Sequence, residues 1–231
     1  MKKSILSLSL VAAGVLASGS AMAQYTIQIG GAYVDPNSSA GTATGPLTPL
    51  GALSLTVKPQ STVFFSIARE INDQWDVQLA MGLPPTHDVA LKVTNPAALP
   101  ASVAAQDGVI VSKVRQVAPT LFANYKFGEA SSQFRPFVGI GINYTQFDKT
   151  ESTPANDAIN GGPTNIKLSD SWGVAMQAGG VYKFDKQWSL SGTYSTAQVN
   201  SVITTNTLGT VRKVDISFRP AVFIVAVGYS F

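Results

Sequence analysis

The sequence has no cysteine, a single histidine and few charges. Without cysteine, an exported chain of this size has no disulfide framework, so hydrogen bonding and packing must hold it together. One histidine and scattered carboxylates do not make a metal site. Charged residues are 13% of the chain, about half the roughly 25% expected of soluble domains. Beyond the N-terminal segment no apolar run reaches the length of a spanning helix, yet 45% of the residues are hydrophobic. Apolar content without long apolar runs is the composition of a transmembrane β-barrel, in which lipid-facing and lumen-facing side chains alternate.

The first residues have a different logic. Met1-Lys2-Lys3 is followed by an apolar run from Ile5 to Ala17 and by Ala21-Met22-Ala23 before Gln24. A charged start, an apolar middle and an A-x-A close are the parts of a cleaved export signal, and the run is too short for a membrane span. Residues 1–23 are therefore expected to be removed, leaving one domain over residues 24–231. Loss of Lys2 and Lys3 takes the formal charge from +3 to +1. The basic pI thus belongs to the precursor, and a nucleic-acid partner loses its electrostatic basis.

Alternating segments of about ten residues follow, separated by turn-rich stretches. They predict eight strands, at Tyr25–Val34, Ser61–Ile71, Trp75–Leu83, Lys113–Phe127, Arg135–Phe147, Leu168–Phe184, Trp188–Thr196 and Val211–Phe231. The connections alternate in length. Asn72-Asp73, Gly128–Phe134 and Asp185–Gln187 are short, whereas Asp35–Gln60, Pro84–Ser112, Asp148–Lys167 and Asn200–Thr210 are long. An even strand number with short turns on one side and long loops on the other predicts an all-β, eight-stranded antiparallel up-and-down barrel in a bacterial outer membrane, with the short turns periplasmic.

Parity supports this. Trp188, Leu190 and Tyr194 share one face of their strand, and Ser189, Ser191, Thr193 and Ser195 share the other. Trp75, Val77, Leu79 and Met81 likewise alternate with Asp76, Gln78, Ala80 and Gly82. A soluble sandwich or lipocalin-like barrel, the competing architecture, would have to bury the serine face or expose the apolar one. Trp75, Tyr125, Phe127, Tyr182, Phe184, Trp188, Tyr229 and Phe231 all fall at periplasmic strand ends, as an interfacial girdle requires. The closing Phe223, Val225, Val227, Tyr229, Phe231 pattern resembles the terminal signal read by outer-membrane assembly machinery.

The block Phe134-Arg135-Pro136-Phe137-Val138-Gly139-Ile140-Gly141-Ile142-Asn143-Tyr144-Thr145 resembles the outer membrane protein W family. Leu47–Val57, Pro119-Thr120-Leu121, Asp170-Ser171-Trp172-Gly173, Gln177-Ala178-Gly179 and Gly228-Tyr229-Ser230-Phe231 extend the likeness over nearly the whole mature chain. The resemblance implies an eight-stranded barrel with an apolar interior, passage of small hydrophobic compounds including alkanes in some members, and service as a colicin or phage receptor. The Ala- and Pro-rich stretch Val89–Gly108 departs from the family pattern.

Candidate chemistry is sparse. Any Ser-His-acid relay must use His87, near the outer end of the third strand, but no Gly-x-Ser-x-Gly signature accompanies it. The expected role of His87 is a local hydrogen bond, and neither an enzyme nor a cofactor is expected. Gly30-Gly31, Gly179-Gly180 and Gly139-x-Gly141 lie inside alternating strands, where glycine marks close approach rather than a phosphate loop. Asp148–Asp157 could hold cations beside lipopolysaccharide or simply be a solvated loop.

Parity directs Phe64, Ser66, Ala80, Gly82, Phe122, Asn143, Ala175, Gln177, Thr193, Ser195, Val222 and Ile224 into the lumen. Eight strands leave room for side chains or one slender ligand, and these residues are small or apolar rather than rings of charge. Taken with the resemblance, they favour a conduit for small hydrophobic solutes over a filled structural plug. Pro84, followed by Pro85, and Pro119 fall at similar heights on neighbouring strands, where missing ladder donors should open a lateral exit into the outer leaflet. The alternative is that Pro119 only ends a strand segment and Val89–Gly108 closes the gap. The competing function is a surface receptor or adhesin acting through the long loops.

Overall fold

The computed structural model describes residues 24–40 and 51–231. The expected export signal and the first four residues of the family-like stretch Leu47–Val57 lie outside them. Fifteen strands occur among the described residues: β1 (Tyr25–Asp35), β2 (Ser38–Ala40), β3 (Leu53–Val57), β4 (Gln60–Glu70), β5 (Trp75–Gly82), β6 (Thr86–Val93), β7 (Ile110–Val117), β8 (Thr120–Lys126), β9 (Phe134–Ser152), β10 (Thr164–Leu168), β11 (Ser171–Lys183), β12 (Trp188–Ala197), β13 (Val199–Thr207), β14 (Thr210–Phe218) and β15 (Ala221–Ser230).

Eight of these close a wall. β1, β4, β5, β8, β9, β11, β12 and β15 pair antiparallel in that order, and β15 pairs back onto β1 from Thr26↔Ser230 to Asp35↔Ala221. Closure removes every edge, which a chain crossing lipid requires. Side-chain period two then sorts the residues. Ile29, Ile140, Met176 and Val225 point outward and are exposed, whereas Phe64, Phe122, Ala175 and Ala226 point inward and are buried. The outward face is the apolar one, opposite to a soluble barrel.

The periplasmic ends are tied by their turn residues. Asn72 Oδ1 accepts from the amides of Gln74 and Trp75 at 2.9 Å each, and Asp185 Oδ1 accepts from those of Gln187 and Trp188 at 2.7 Å each. Both are Asx turns, which explains two tight reversals from one carboxyl or amide side chain apiece. The girdle aromatics pair above them: Trp75 with Tyr125 at 5.2 Å, Tyr182 with Phe184 at 5.5 Å and Trp188 with Tyr229 at 5.0 Å. Such edge-on contacts suit the ring quadrupoles.

The outer half corrects the sequence reading. The single strand expected over Lys113–Phe127 is two strands, β7 and β8, broken at Ala118-Pro119. The strand expected over Val211–Phe231 is likewise divided into β14 and β15 at Arg219-Pro220. Proline has no amide to give the ladder, so each break falls where it must. The strand expected from Leu168 starts at Ser171, because Thr164–Leu168 leaves the wall as β10 to pair with β13.

The long connections are not open loops. β3, β6, β7 and the outer part of β9 prolong one side of the wall, and β2, β10, β13 and β14 form a separate four-stranded sheet. Val89, Leu91, Val111 and Val114 are buried in the first layer, and Ile166, Ile203 and Ile216 in the second. Leu55 and Leu168 pack against both clusters and join them. The extracellular side therefore carries a folded cap with its own apolar core.

Candidate functional site: a lumen chamber above a polar floor

The barrel interior changes character with height. In the outer half, inward positions on six strands bring Ala32, Phe64, Ala80, Phe122, Ala175 and Ile224 into one apolar cluster, with Ala197 and Val222 at its margin. All of these except Ala175 line a chamber of about 130 Å³. Phe64, Ala80, Phe122, Gln177, Ser195, Val222 and Ile224, all expected in the lumen, line it, as do Gly82 and Asn143. Thr193, registered against Ile224, does not line it. Ser66 and Ala175 are buried inside the barrel.

Below the chamber lies a belt of hydrogen-bonded side chains. Gln28 Oε1 accepts from Ser66 Oγ at 2.9 Å and Gln78 Nε2 at 3.0 Å. Gln78 Oε1 accepts from Asn124 Nδ2 at 3.2 Å and Gln177 Nε2 at 2.8 Å. Asn124 Nδ2 also donates to Asp76 Oδ1 at 2.7 Å, and Asn124 Oδ1 accepts from Gln177 Nε2 at 2.6 Å. Ser191 receives Gln28 Nε2 at 3.4 Å and donates to the Ala226 carbonyl at 3.2 Å. β1, β4, β5, β8, β11, β12 and β15 each contribute a polar group.

The remaining strand, β9, contributes space. At Gly139 a methyl group would collide with Asn124 Oδ1 and come within 3.0 Å of Gln177 Cγ, and at Gly141 it would come within 2.7 Å of the Phe122 ring. The two glycines of the Gly139-x-Gly141 motif thus allow the floor and the chamber wall to pack in a narrow barrel.

Beneath the belt is a smaller cavity of about 70 Å³ at the periplasmic mouth, lined by charged residues including Glu70, Asp76, Lys126, Arg135 and Lys183. Lys126 Nζ lies 2.8 Å from Glu70 Oε1 and 3.0 Å from Asp76 Oδ2. The buried Arg135 guanidinium donates to the carbonyls of Lys126, Phe127 and Gly128 at 3.2–3.3 Å, pinning the β8–β9 turn. The belt separates an apolar upper space from a charged lower one.

The chamber wall is interrupted on one side. The β5–β8 ladder runs upward from Trp75↔Tyr125 and ends at Ala80↔Thr120. The next bond between these neighbours is from the Gln116 amide to the Pro85 carbonyl, at 3.1 Å. Above it, β6 and β7 resume pairing at Thr86↔Arg115, one residue out of phase with the ladder below. Met81, Gly82, Pro85, Gln116 and Ala118, from both edges of the break, line the chamber; Pro84 and Pro119 do not. Pro119 directs its backbone toward β9, its carbonyl accepting from the Tyr144 amide at 3.1 Å. The Val89–Gly108 segment does not cover the break as a loop: it contains most of β6 and rises into the cap.

His87 stands apart. Its ring is buried in the cap, with Nδ1 2.9 Å from the Lys58 carbonyl and Nε2 without a partner among the described residues. Burial holds the imidazole below its ordinary value, against the opposing pull of the Lys58 hydrogen bond and the Asp88 charge. In the Asp148–Asp157 stretch, Asp148 is bound by Arg115 through Nε and Nη2, and this hydrogen bonding holds its carboxyl below the usual range.

Sequence reasoning missed the belt. Gln28, Asp76, Gln78 and Asn124 sit at inward positions among apolar outward neighbours, and that parity was the available signal. What parity does not supply is the height at which they meet.

The OmpW family model matches residues 23–231. Outer membrane protein W of Escherichia coli (strain K12) is 30% identical over 236 residues, covering 100% of both chains. The crystal structure of the outer membrane protein OprG from Pseudomonas aeruginosa superposes with a TM-score of 0.79 at 25% identity, covering 90% of this chain and 96% of that one. The dibenzothiophene metabolism operon protein PahQ of Pseudomonas aeruginosa is 28% identical over 138 residues, covering 60% of this chain and 56% of its own length.

Proposed function

This chain belongs to the OmpW family and resides in the bacterial outer membrane, and from that premise we propose that it admits small hydrophobic molecules passively and releases them sideways into the membrane. One observation carries the reading: an apolar chamber whose wall is interrupted sits above a belt that crosses the lumen. An apolar solute in the chamber meets amides and a carboxylate below, where each alkyl group would displace hydrogen bonds. Sideways, it meets a break flanked by the exposed Leu83 and Leu121 and then lipid. Transfer out of water is favourable by about 0.8 kcal/mol per buried CH₂, so the route into lipid is the downhill one. Unpaired backbone within a membrane wall is tolerated where it lines a cavity rather than faces lipid. The operon named for the relative PahQ concerns dibenzothiophene, an apolar aromatic, and agrees with such a solute.

The test is to close the break. Because the chain has no cysteine, the pair Gly82→Cys and Ala118→Cys can be joined by a disulfide or a short bifunctional thiol reagent. Crosslinking should abolish uptake of a hydrophobic solute into cells or proteoliposomes, and reduction of the disulfide should restore it. Uptake that survives a verified crosslink refutes the lateral route.

A receptor role has one observation in its favour. The cap is folded, and at its β13–β14 tip Leu208 is 77% exposed in a left-handed backbone conformation, φ 49°. Equal solute uptake by cells with and without the protein would move the function to this surface.

A further inference from the structure

The geometry points to Gln177 Oε1 as an acceptor-only recognition site at the base of the chamber, selecting apolar solutes that carry one hydroxyl or N–H donor over isomers that carry none. The inference rests on the uptake function proposed above and names the solute class within it.

The argument starts from a group that cannot donate. The Asp76 carboxylate, paired with the Lys126 ammonium at 3.0 Å, offers Asn124 only acceptor oxygens. Asn124 must therefore turn its Nδ2 toward Asp76, which leaves Oδ1 facing Gln177. Gln177 must then present Nε2, which it gives both to Asn124 Oδ1 at 2.6 Å and to Gln78 Oε1 at 2.8 Å. Gln78 is fixed in the same sense, since its own Nε2 donates to Gln28 Oε1 and Ser66 Oγ at 3.0 Å each. Each amide orientation follows from the one before, and one carboxylate sets them all.

The chain of donors ends at Gln177. Both hydrogens of its amide group are committed, and its Oε1 has no partner among the described residues although the residue lines the chamber and is only 6% exposed. A carboxamide oxygen with two free lone pairs beside apolar walls is an unmet acceptor. The neighbouring polar groups do not compete for the same role. Asn143 Oδ1 already accepts from Thr145 Oγ1 at 2.7 Å, and Asn143 Nδ2 donates to Thr120 Oγ1 at 2.8 Å. Ser195, also on the wall, has a hydroxyl that both gives and accepts, so it does not discriminate between donor and acceptor solutes. Gly139 supplies the room in which this arrangement forms, since a methyl group there would press on Asn124 Oδ1 and Gln177 Cγ.

Isomeric solutes separate donor from size. Refolded, isotope-labelled protein in micelles is titrated with 1-hexanol and with methyl pentyl ether, which has the same formula but no donor. Backbone amide signals of Phe64, Phe122 and Ile224, chamber residues retained in every variant, report binding. Hexanol should bind about tenfold more tightly, equivalent to ~1.4 kcal/mol, and Gln177→Met should reduce that ratio to about one. Asp76→Asn, acting through Asn124, should lower the preference without removing ether binding. Equal affinities in the wild-type protein, no binding of either solute, or a preference that persists in Gln177→Met would overturn the assignment. Flux into proteoliposomes distinguishes this inference from the reading beneath it. A hexanol binding preference without flux of either isomer supports the acceptor site and refutes uptake. Equal flux and equal binding of both isomers supports uptake and refutes the acceptor site.

Discussion

Replacing Lys126 with methionine withdraws the ammonium that bridges Glu70 Oε1 at 2.8 Å and Asp76 Oδ2 at 3.0 Å. The two carboxylates respond differently. Glu70, with 28% of its side chain exposed, can turn to water, and a pair of that kind is worth about 0–1 kcal/mol. Asp76 is 5% exposed and keeps only the Asn124 amide, at 2.7 Å. Removing one partner of a buried ion pair costs about 3–5 kcal/mol. The neighbouring 70 Å³ cavity at the periplasmic mouth can hydrate the orphaned charge in part, which places the expected loss near ~3 kcal/mol, at the lower end. Methionine preserves most of the stem's apolar volume, so little of the loss should come from a cavity. Urea unfolding of the refolded protein, followed by tryptophan emission, measures the change in midpoint at constant slope. Adding Asp76→Asn to Lys126→Met removes the unpaired charge and should recover all but about 1 kcal/mol, a coupling that a double-mutant cycle isolates. A loss below about 1 kcal/mol for Lys126→Met, or no recovery in the double variant, would refute the view that the floor is anchored by this carboxylate.

Gly139→Ala should destabilise the barrel by about 1–3 kcal/mol, the usual cost of overpacking, because its methyl group would press on Asn124 Oδ1 and Gln177 Cγ. Gly192→Ala is the internal control: nothing lies within 4 Å of its added methyl, and its urea midpoint should not fall. His87, held neutral by burial, makes the cap sensitive to acid. The unfolded chain takes up a proton near pH 6.5 and the folded cap only at lower pH, so the contribution is present above that value and is lost as pH falls through the folded one. Amide protection factors across β6 and β7, which divide out the pH dependence of intrinsic exchange, should fall between pH 7 and pH 5 in the wild-type protein and stay constant in His87→Gln.

How much of this was legible in the sequence depends on which interactions decide each element. The inward faces could be read from single strands, because alternation is a local property: Trp188, Leu190 and Tyr194 face lipid and Ser189 and Ser191 face the lumen whatever the neighbouring strand does. The cap could not be read in this way. β10 and β13 are rich in Thr and Asn and look like loops, and they become strands because Ile166, Ile203 and Ile216 meet across a sheet assembled from distant segments. The polar floor was hidden for a related reason. Gln28, Gln78, Asn124 and Gln177 come from four strands, and only the stagger between strands decides whether they meet at one height or scatter along the lumen.

The break beside β5 shows the same dependence from the other side. Two prolines at similar heights on adjacent strands suggested lost donors facing each other, yet backbone groups alternate in direction along a strand just as side chains do. Pro119 is an odd-phase residue that faces β9 and still accepts from Tyr144 there, so its missing amide does not belong to the β5–β8 ladder. Ala118 and Gly82 are the residues that would have met next, two positions above Ala80↔Thr120. Their pairing fails because the cap resumes one residue out of phase, at Thr86↔Arg115, with a second irregularity between Arg115 and Gln116 on the β9 side. A lower wall and a cap with different registers cannot share an unbroken ladder, and the mismatch must be absorbed between them. Met81–Pro84 and Val117–Pro119 absorb it, and Pro84 has no amide to give an unbroken ladder. The break therefore belongs to the joint between two hydrogen-bonded systems, which is why it lies at the height of the apolar chamber and not elsewhere along the wall.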